Sequence, residues 1–132
     1  MHPGPGPTSE SSVVQFTAPS TATYVITGTF YAMGGGPGVT TDSVIGPGGV
    51  LLTPVIISTS PSHTFNFDET LSQGQSIDFV VGLGPGNQFN NDSTAFNADI
   101  SPTPEPAFYG LLGLGLTGLA AALHRRKKAE RA

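Results

Sequence analysis

The chain of 132 residues contains no cysteine and no tryptophan, and its first 124 residues contain no lysine or arginine. Each absence excludes something. Without cysteine there is no disulfide, no thiolate metal ligand and no cysteine nucleophile. That is compatible with export but does not establish it. Without tryptophan, any sugar-stacking face has to be built from tyrosine or phenylalanine. From Met1 to Ile100 the charged residues are all carboxylates: Glu10, Asp42, Asp68, Glu69, Asp78, Asp92 and Asp99. A body without cations cannot release counterions from a phosphate backbone, which argues against nucleic acid as a partner. It cannot form a Lys/Arg salt bridge within itself either. Its stability must come from apolar burial and hydrogen bonds. The opening "MHPGPGPTSESS" also lacks the basic and apolar regions of a secretory signal peptide. Together with the tail described below, this raises the expectation that the N-terminus is truncated and that a signal peptide lies upstream.

What is present is glycine, proline and short alternating runs. Residues 1–12 read as a disordered or loosely laid leader, and 13–101 as one domain. In "VVQFTAP", Val14, Phe16 and Ala18 share a face. In "ATYVITGTFYAM", Tyr24, Ile26, Gly28 and Phe30 alternate with Val25, Thr27, Thr29 and Tyr31, the period of a β-strand. "TTDSVIG" and "GVLLTPVIIS" are split by "GPGG", and Pro54 marks the second as an edge or bulged strand. His63, Phe65 and Phe67 line one face of "HTFNFDETL". Ile77, Phe79 and Val81 point inward from "QSIDFVVGL", with Asp78 outward. Thr94, Phe96, Ala98 and Ile100 share a face of the last run. No helical period precedes the tail. The fold class is therefore all-β, an antiparallel β-sandwich.

"VVQFTAPSTATYVITGTF" followed by "LSQGQSIDFVVGLGPGNQFNNDSTAFNADI" resembles the non-catalytic, jelly-roll-like modules of secreted bacterial proteins. In these an aromatic-x-Ala-Pro turn precedes a Tyr-x-Ile/Val strand, and a Leu-x-x-Gly-Asp/Gln-x-Ile turn leads into a later one. The resemblance implies a jelly-roll-like sandwich. Some such modules bind carbohydrate.

Candidate sites in the body are few. "GPGNQFNNDST" gathers Asn87, Gln88, Asn90, Asn91 and Asp92, oxygen donors of the kind that hold Ca²⁺. Their spacing matches no calcium loop, and a solvated turn accounts for them better. No metal site and no cofactor are assigned, with Ca²⁺ as the one ion the loop would suit. Tyr31 and Phe89 are the candidate stacking aromatics for extracellular polysaccharide, with Asn90 and Asp92 beside them. Tyr24 lies on the apolar face and reads as core. His63 is the only histidine of the strand region, but no nucleophile elbow accompanies it, and a lone strand histidine is ordinarily just a strand residue. "GGGPG" and "GPGG" lack the helix and lysine of a phosphate loop. The chain does not read as an enzyme.

The tail, 102–132, is of another composition. Residues 107–123, "AFYGLLGLGLTGLAAAL", are almost unbroken apolar sequence. As a helix they would extend roughly 26 Å, near the short end of what crosses a hydrocarbon core of ~30 Å. They have no polar face, and their glycines suit a membrane helix better than a soluble one. A basic cluster fills 124–131. Arg125, Arg126, Lys127 and Lys128 would stop transfer and keep the C-terminus in the cytoplasm. One C-terminal transmembrane-type helix is the expectation.

Pro104-Glu105-Pro106, then the apolar span, then the Arg/Lys cluster resemble the PEP-CTERM protein-sorting signal in order and spacing. The resemblance implies an exported protein of a Gram-negative bacterium, often one that makes exopolysaccharide. It implies that exosortase, a cysteine-dependent transpeptidase-like membrane enzyme, recognises Pro104, Glu105 and Pro106. The span would sit in the inner membrane during sorting, and the body would reach the cell surface or extracellular matrix. A membrane-tethered carbohydrate-binding module is the alternative function.

Overall fold

A computed structural model describes residues 1–4, 10–33, 39–57, 62–85, 93–104, 110–119 and 124. Two compact units are present, Met1–Pro102 and Thr103–Ala132. Among its described residues the first contains seven strands: β1 (Ser12–Thr17), β2 (Ala22–Ala32), β3 (Thr40–Gly46), β4 (Gly49–Ile57), β5 (His63–Leu71), β6 (Ser76–Leu83) and β7 (Thr94–Pro102). They form a four-stranded sheet, β1-β6-β3-β4, and a three-stranded sheet, β5-β2-β7. Every pairing is antiparallel. Only β3 and β4 are joined as a hairpin within one sheet. Every other connection crosses between the sheets, which is why the strand order could not be read from turn signals.

The alternating faces pack where their period places them. Tyr24, Ile26 and Phe30 of β2 meet Val44 of β3 and Ile77, Phe79 and Val81 of β6 in one buried cluster. At its centre, Phe79 of the larger sheet lies 4.8 Å from Phe96 and 5.9 Å from Phe65 of the smaller. Phe30 completes the group, 4.9 Å from Phe96 and 5.6 Å from Phe65. Tilted aromatic contacts of this kind add about 0.5–1.5 kcal/mol each beyond the area they bury. Gly28 is required here for space. A Cβ on it would lie 2.4 Å from the Asn97 carbonyl oxygen and 2.4 Å from the Phe65 ring.

At the β1 end of the sheet the alternation fades. Val13 and Val14 are both exposed, because an edge strand is covered less completely than a central one. β4 is the opposite edge, as Pro54 requires, since proline donates no hydrogen bond to a ladder. The β3–β4 register also shifts between Asp42 and Val44, opposite the stretch that contains Pro54. Gly46 and Gly49 pair across the Pro47–Gly48 turn, with Gly49 at φ 123°, a conformation that favours glycine.

One end of the body is closed by two turns bonded to each other. The Ala18 amide donates to the Gln75 carbonyl, and the Gly74 amide donates to the Ala18 carbonyl, both at 2.9 Å. The Gln73 amide donates to Thr21 Oγ1 at 3.0 Å, while Gln75 Oε1 accepts from the Ser72 amide at 2.7 Å. Gly74 at φ 85° makes the tight turn. The Ala-Pro turn and the Leu-x-x-Gly turn, far apart in sequence, thus form one structural feature. Pro102 leaves from this same end, paired with Tyr24.

The leader, in its described parts, is laid on the body. The Met1 side chain packs against the core and its carbonyl accepts the Thr94 amide at 2.9 Å. The Ser12 hydroxyl donates to the His2 carbonyl at 2.5 Å.

In the second unit the described helix, α1, covers residues 110–119, and all of them are exposed. A transmembrane-type helix over 107–123 was the expectation. Among the described residues no helix is long and apolar enough to cross a membrane. The ten described residues of α1 rise about 15 Å, half of a hydrocarbon core, and His124 is helical as well. Residues 107–109 and 120–123 lie outside the described set.

Candidate functional site

The tail begins where β7 ends. Pro102 is the last strand residue and Pro104 is exposed. A proline fixes its own φ and biases the residue before it toward extended backbone, which restricts Thr103 and Pro104. Glu105 and Pro106, the rest of the candidate motif, lie outside the described residues, as do Arg125, Arg126, Lys127 and Lys128.

α1 presents leucine all round. Leu111, Leu112, Leu114, Leu116 and Leu119 are each more than half exposed, so the helix has no face adapted to water. Its single hydroxyl is satisfied within the helix. Thr117 Oγ1 lies 3.0 Å from the carbonyl oxygens of both Gly113 and Leu114. A threonine that bonds back to the preceding turn asks nothing of the surroundings, a condition that an apolar medium imposes.

This is the segment that comparison with known families picks out. The PEP-CTERM protein-sorting motif is found at residues 102–127. The PEP-CTERM segment so delimited starts on the last residue of β7 and takes in α1. It covers the candidate recognition tripeptide, the apolar span and the first three residues of the RRKK cluster. No curated protein and no solved structure matches the chain.

In the body, Tyr31 is the one described residue of those named from sequence as ligand contacts. Tyr31 is 45 % exposed near the end of β2 and pairs with Ala95 of β7. Phe89, Asn90 and Asp92, with the rest of the amide cluster, lie outside the described residues. No group of three metal-ligating side chains occurs among the described residues. Tyr24 is buried, its ring edge-on to Phe16 at 5.4 Å and its hydroxyl donating to the Ser20 carbonyl at 2.8 Å.

The most unusual polar group is one that sequence reasoning passed over. Asp42 is fully buried, and its Oδ2 lies 2.5 Å from Nδ1 of the half-buried His63. The pair links β3 of one sheet to β5 of the other. Asp42 Oδ1 is buried with no hydrogen-bond partner among the described residues. Burial pushes the Asp42 carboxyl above its ordinary range, while the hydrogen bond and charge of His63 oppose that rise. Nearby, Thr40 and Thr94 hydroxyls share a buried bond of 2.6 Å, again between the sheets. A signal for Asp42 was present. It has the same strand parity as Val44, which is core, and the body holds no lysine or arginine to pair with. His63 was the only strand residue able to serve. The bond ties one sheet to the other.

Proposed function

We propose that the chain is an exported protein whose residues 102–132 act as a sorting signal cut by exosortase, and whose body is a non-enzymatic surface or matrix module. The observation that carries this is the PEP-CTERM match over 102–127, which coincides with a change from an acidic strand body to a leucine-covered helix and a basic end. In this reading Pro104, Glu105 and Pro106 are the handle. An extended Pro-x-Pro stretch outside the bilayer is stiff and offers its backbone to an enzyme without first having to be ordered. Residues 107–123 form the transient span in the inner membrane. Arg125–Lys128 hold its far end on the cytoplasmic side, because lysine and arginine near a span resist translocation. The body, with seven carboxylates and no cation before residue 125, offers no such resistance. Cutting near Pro104–Pro106 would free a body whose buried cluster lies wholly in the first unit.

The test is expression with a signal peptide supplied, in an exosortase-positive host and in its exosortase deletion. Mass spectrometry is expected to find a body ending near residues 104–106 in the first and the uncut chain in the second. Glu105→Ala with Pro106→Ala is expected to abolish the cut. Equal products in both hosts would refute the reading.

A membrane-tethered carbohydrate-binding module is the second reading, favoured by the exposed ring of Tyr31. Binding of an acidic or neutral polysaccharide that is lost in Tyr31→Ala would support it. No binding across a polysaccharide panel would remove it.

A further inference from the structure

The four-stranded sheet has one strand more than the sheet it covers, and β4 is an outer strand of it. Neighbouring residues of a strand point to opposite faces, yet Val55 and Ile56 are 43 % and 52 % exposed, and Val50 is 60 % exposed. β4 therefore shows apolar side chains on both faces. Among the described residues no strand pairs with its outer edge. An uncovered apolar edge is a template for another strand.

Charge limits what that strand can belong to. The nine residues of β4, "GVLLTPVII", carry no charge. The edges of the other sheet do: Asp68 and Glu69 on β5, Asp99 on β7. A cationic partner would be drawn to those carboxylates. β1 is uncharged as well, but it is shorter, and its first residue is already bonded to the leader through the His2 carbonyl. Two copies of this anionic body repel wherever carboxylates meet. The long, charge-free strip of β4 is where they can approach, and each copy presents the same strip. We propose that β4 is a self-association edge, pairing antiparallel with β4 of a second copy about a twofold axis. Such an interface is isologous and closes at two copies. Pro54 removes a donor near its middle and keeps the intermolecular ladder short.

The chain has no cysteine, so single introduced thiols report contacts without background. The full chain is kept in a non-ionic detergent. Thr53→Cys, exposed in mid-β4, is expected to give a disulfide-linked dimer on mild oxidation, and Asn66→Cys on β5 is not. Val55→Lys with Ile56→Lys is expected to lower the Thr53→Cys dimer yield at least tenfold with an unchanged far-ultraviolet circular dichroism spectrum. If that pair does not fold, Val50→Lys at the start of the strand is read in its place. Equal dimer from Thr53→Cys and Asn66→Cys would overturn the proposal. So would a dimer that survives the lysines, since α1 would then be holding the copies together. Efficient linking of Gln15→Cys to Thr53→Cys in a mixture would replace twofold pairing with a head-to-tail one and would also overturn it.

Discussion

The Asp42–His63 pair allows a quantitative test of how this body is held together. Asp42 is fully buried and its side-chain partner among the described residues is a ring nitrogen 2.5 Å away. Replacing His63 with leucine keeps the volume and removes the partner, leaving a buried carboxylate uncompensated. Breaking a buried pair in this way costs about 3–5 kcal/mol, a large part of the ~5–15 kcal/mol that holds a domain folded. With a urea m value of ~1–3 kcal/mol/M, the unfolding midpoint of His63→Leu at neutral pH should fall by at least about 1 M. The assay is urea unfolding of the full chain in detergent, followed by far-ultraviolet circular dichroism. The double variant Asp42→Val/His63→Leu should recover most or all of the loss, because replacing a whole buried pair by apolar groups is often neutral or stabilising. The two substitutions are therefore expected to be strongly non-additive.

The pH dependence follows from the direction of the Asp42 shift. Burial raises its folded-state value above that of the unfolded chain, so the folded protein holds this proton more tightly. The associated stability is fully present below the ordinary carboxylate range and is lost as pH rises through the raised value. His63 opposes the rise in wild type. Without it the shift grows, and the loss on going to neutral pH grows with it. The His63→Leu penalty should accordingly shrink on acidification. A penalty below about 1 kcal/mol at neutral pH, one that is flat in pH, or additive single and double variants would each refute the reasoning, since taking the partner from a buried carboxylate costs more than that.

Three further outcomes follow. Gly28→Ala should destabilise by about 1–3 kcal/mol, although alanine normally improves on glycine in a strand. Its Cβ would meet the Asn97 carbonyl, which cannot give way without breaking the β2–β7 ladder, and a melting temperature at or above wild type would count against the packing described. Phe79→Ala, which empties the space between Phe65 and Phe96, should cost about 3–5 kcal/mol by the same urea assay. Thr117→Val should leave processing by an exosortase-positive host unchanged, because among the described residues the hydroxyl it removes bonds within α1; uncut chain in that host would mean the hydroxyl serves the enzyme directly.

The strand faces were legible because period-2 alternation is a local property. Ile77, Phe79 and Val81 face inward whatever β6 pairs with. Pro54 was legible for the same reason, and its effect appears twice, in the edge position of β4 and in the shifted register opposite it. Strand order was not, because all connections but one cross between sheets and nothing local records which strand waits on the other side. β1 shows the limit of alternation itself: Val14 has the right parity but, at an edge, too little above it to be buried.

Asp42 was missed for a related reason. A lone Asp in "TTDSVIG" reads as a surface residue, since its partner is 21 residues away on the other sheet. Yet the composition held the clue. A body without lysine or arginine has only histidine to neutralise a buried carboxylate, so the parity of Asp42 with Val44 and the place of His63 on an inward-facing strand are one fact seen from two strands. The PEP-CTERM segment differs because it is read in order along the chain, tripeptide, span and basic cluster, and needs no fold to bring its parts together. That is why residues 102–127 were recognisable from sequence, whereas the tie between the sheets appeared only once they were folded against each other.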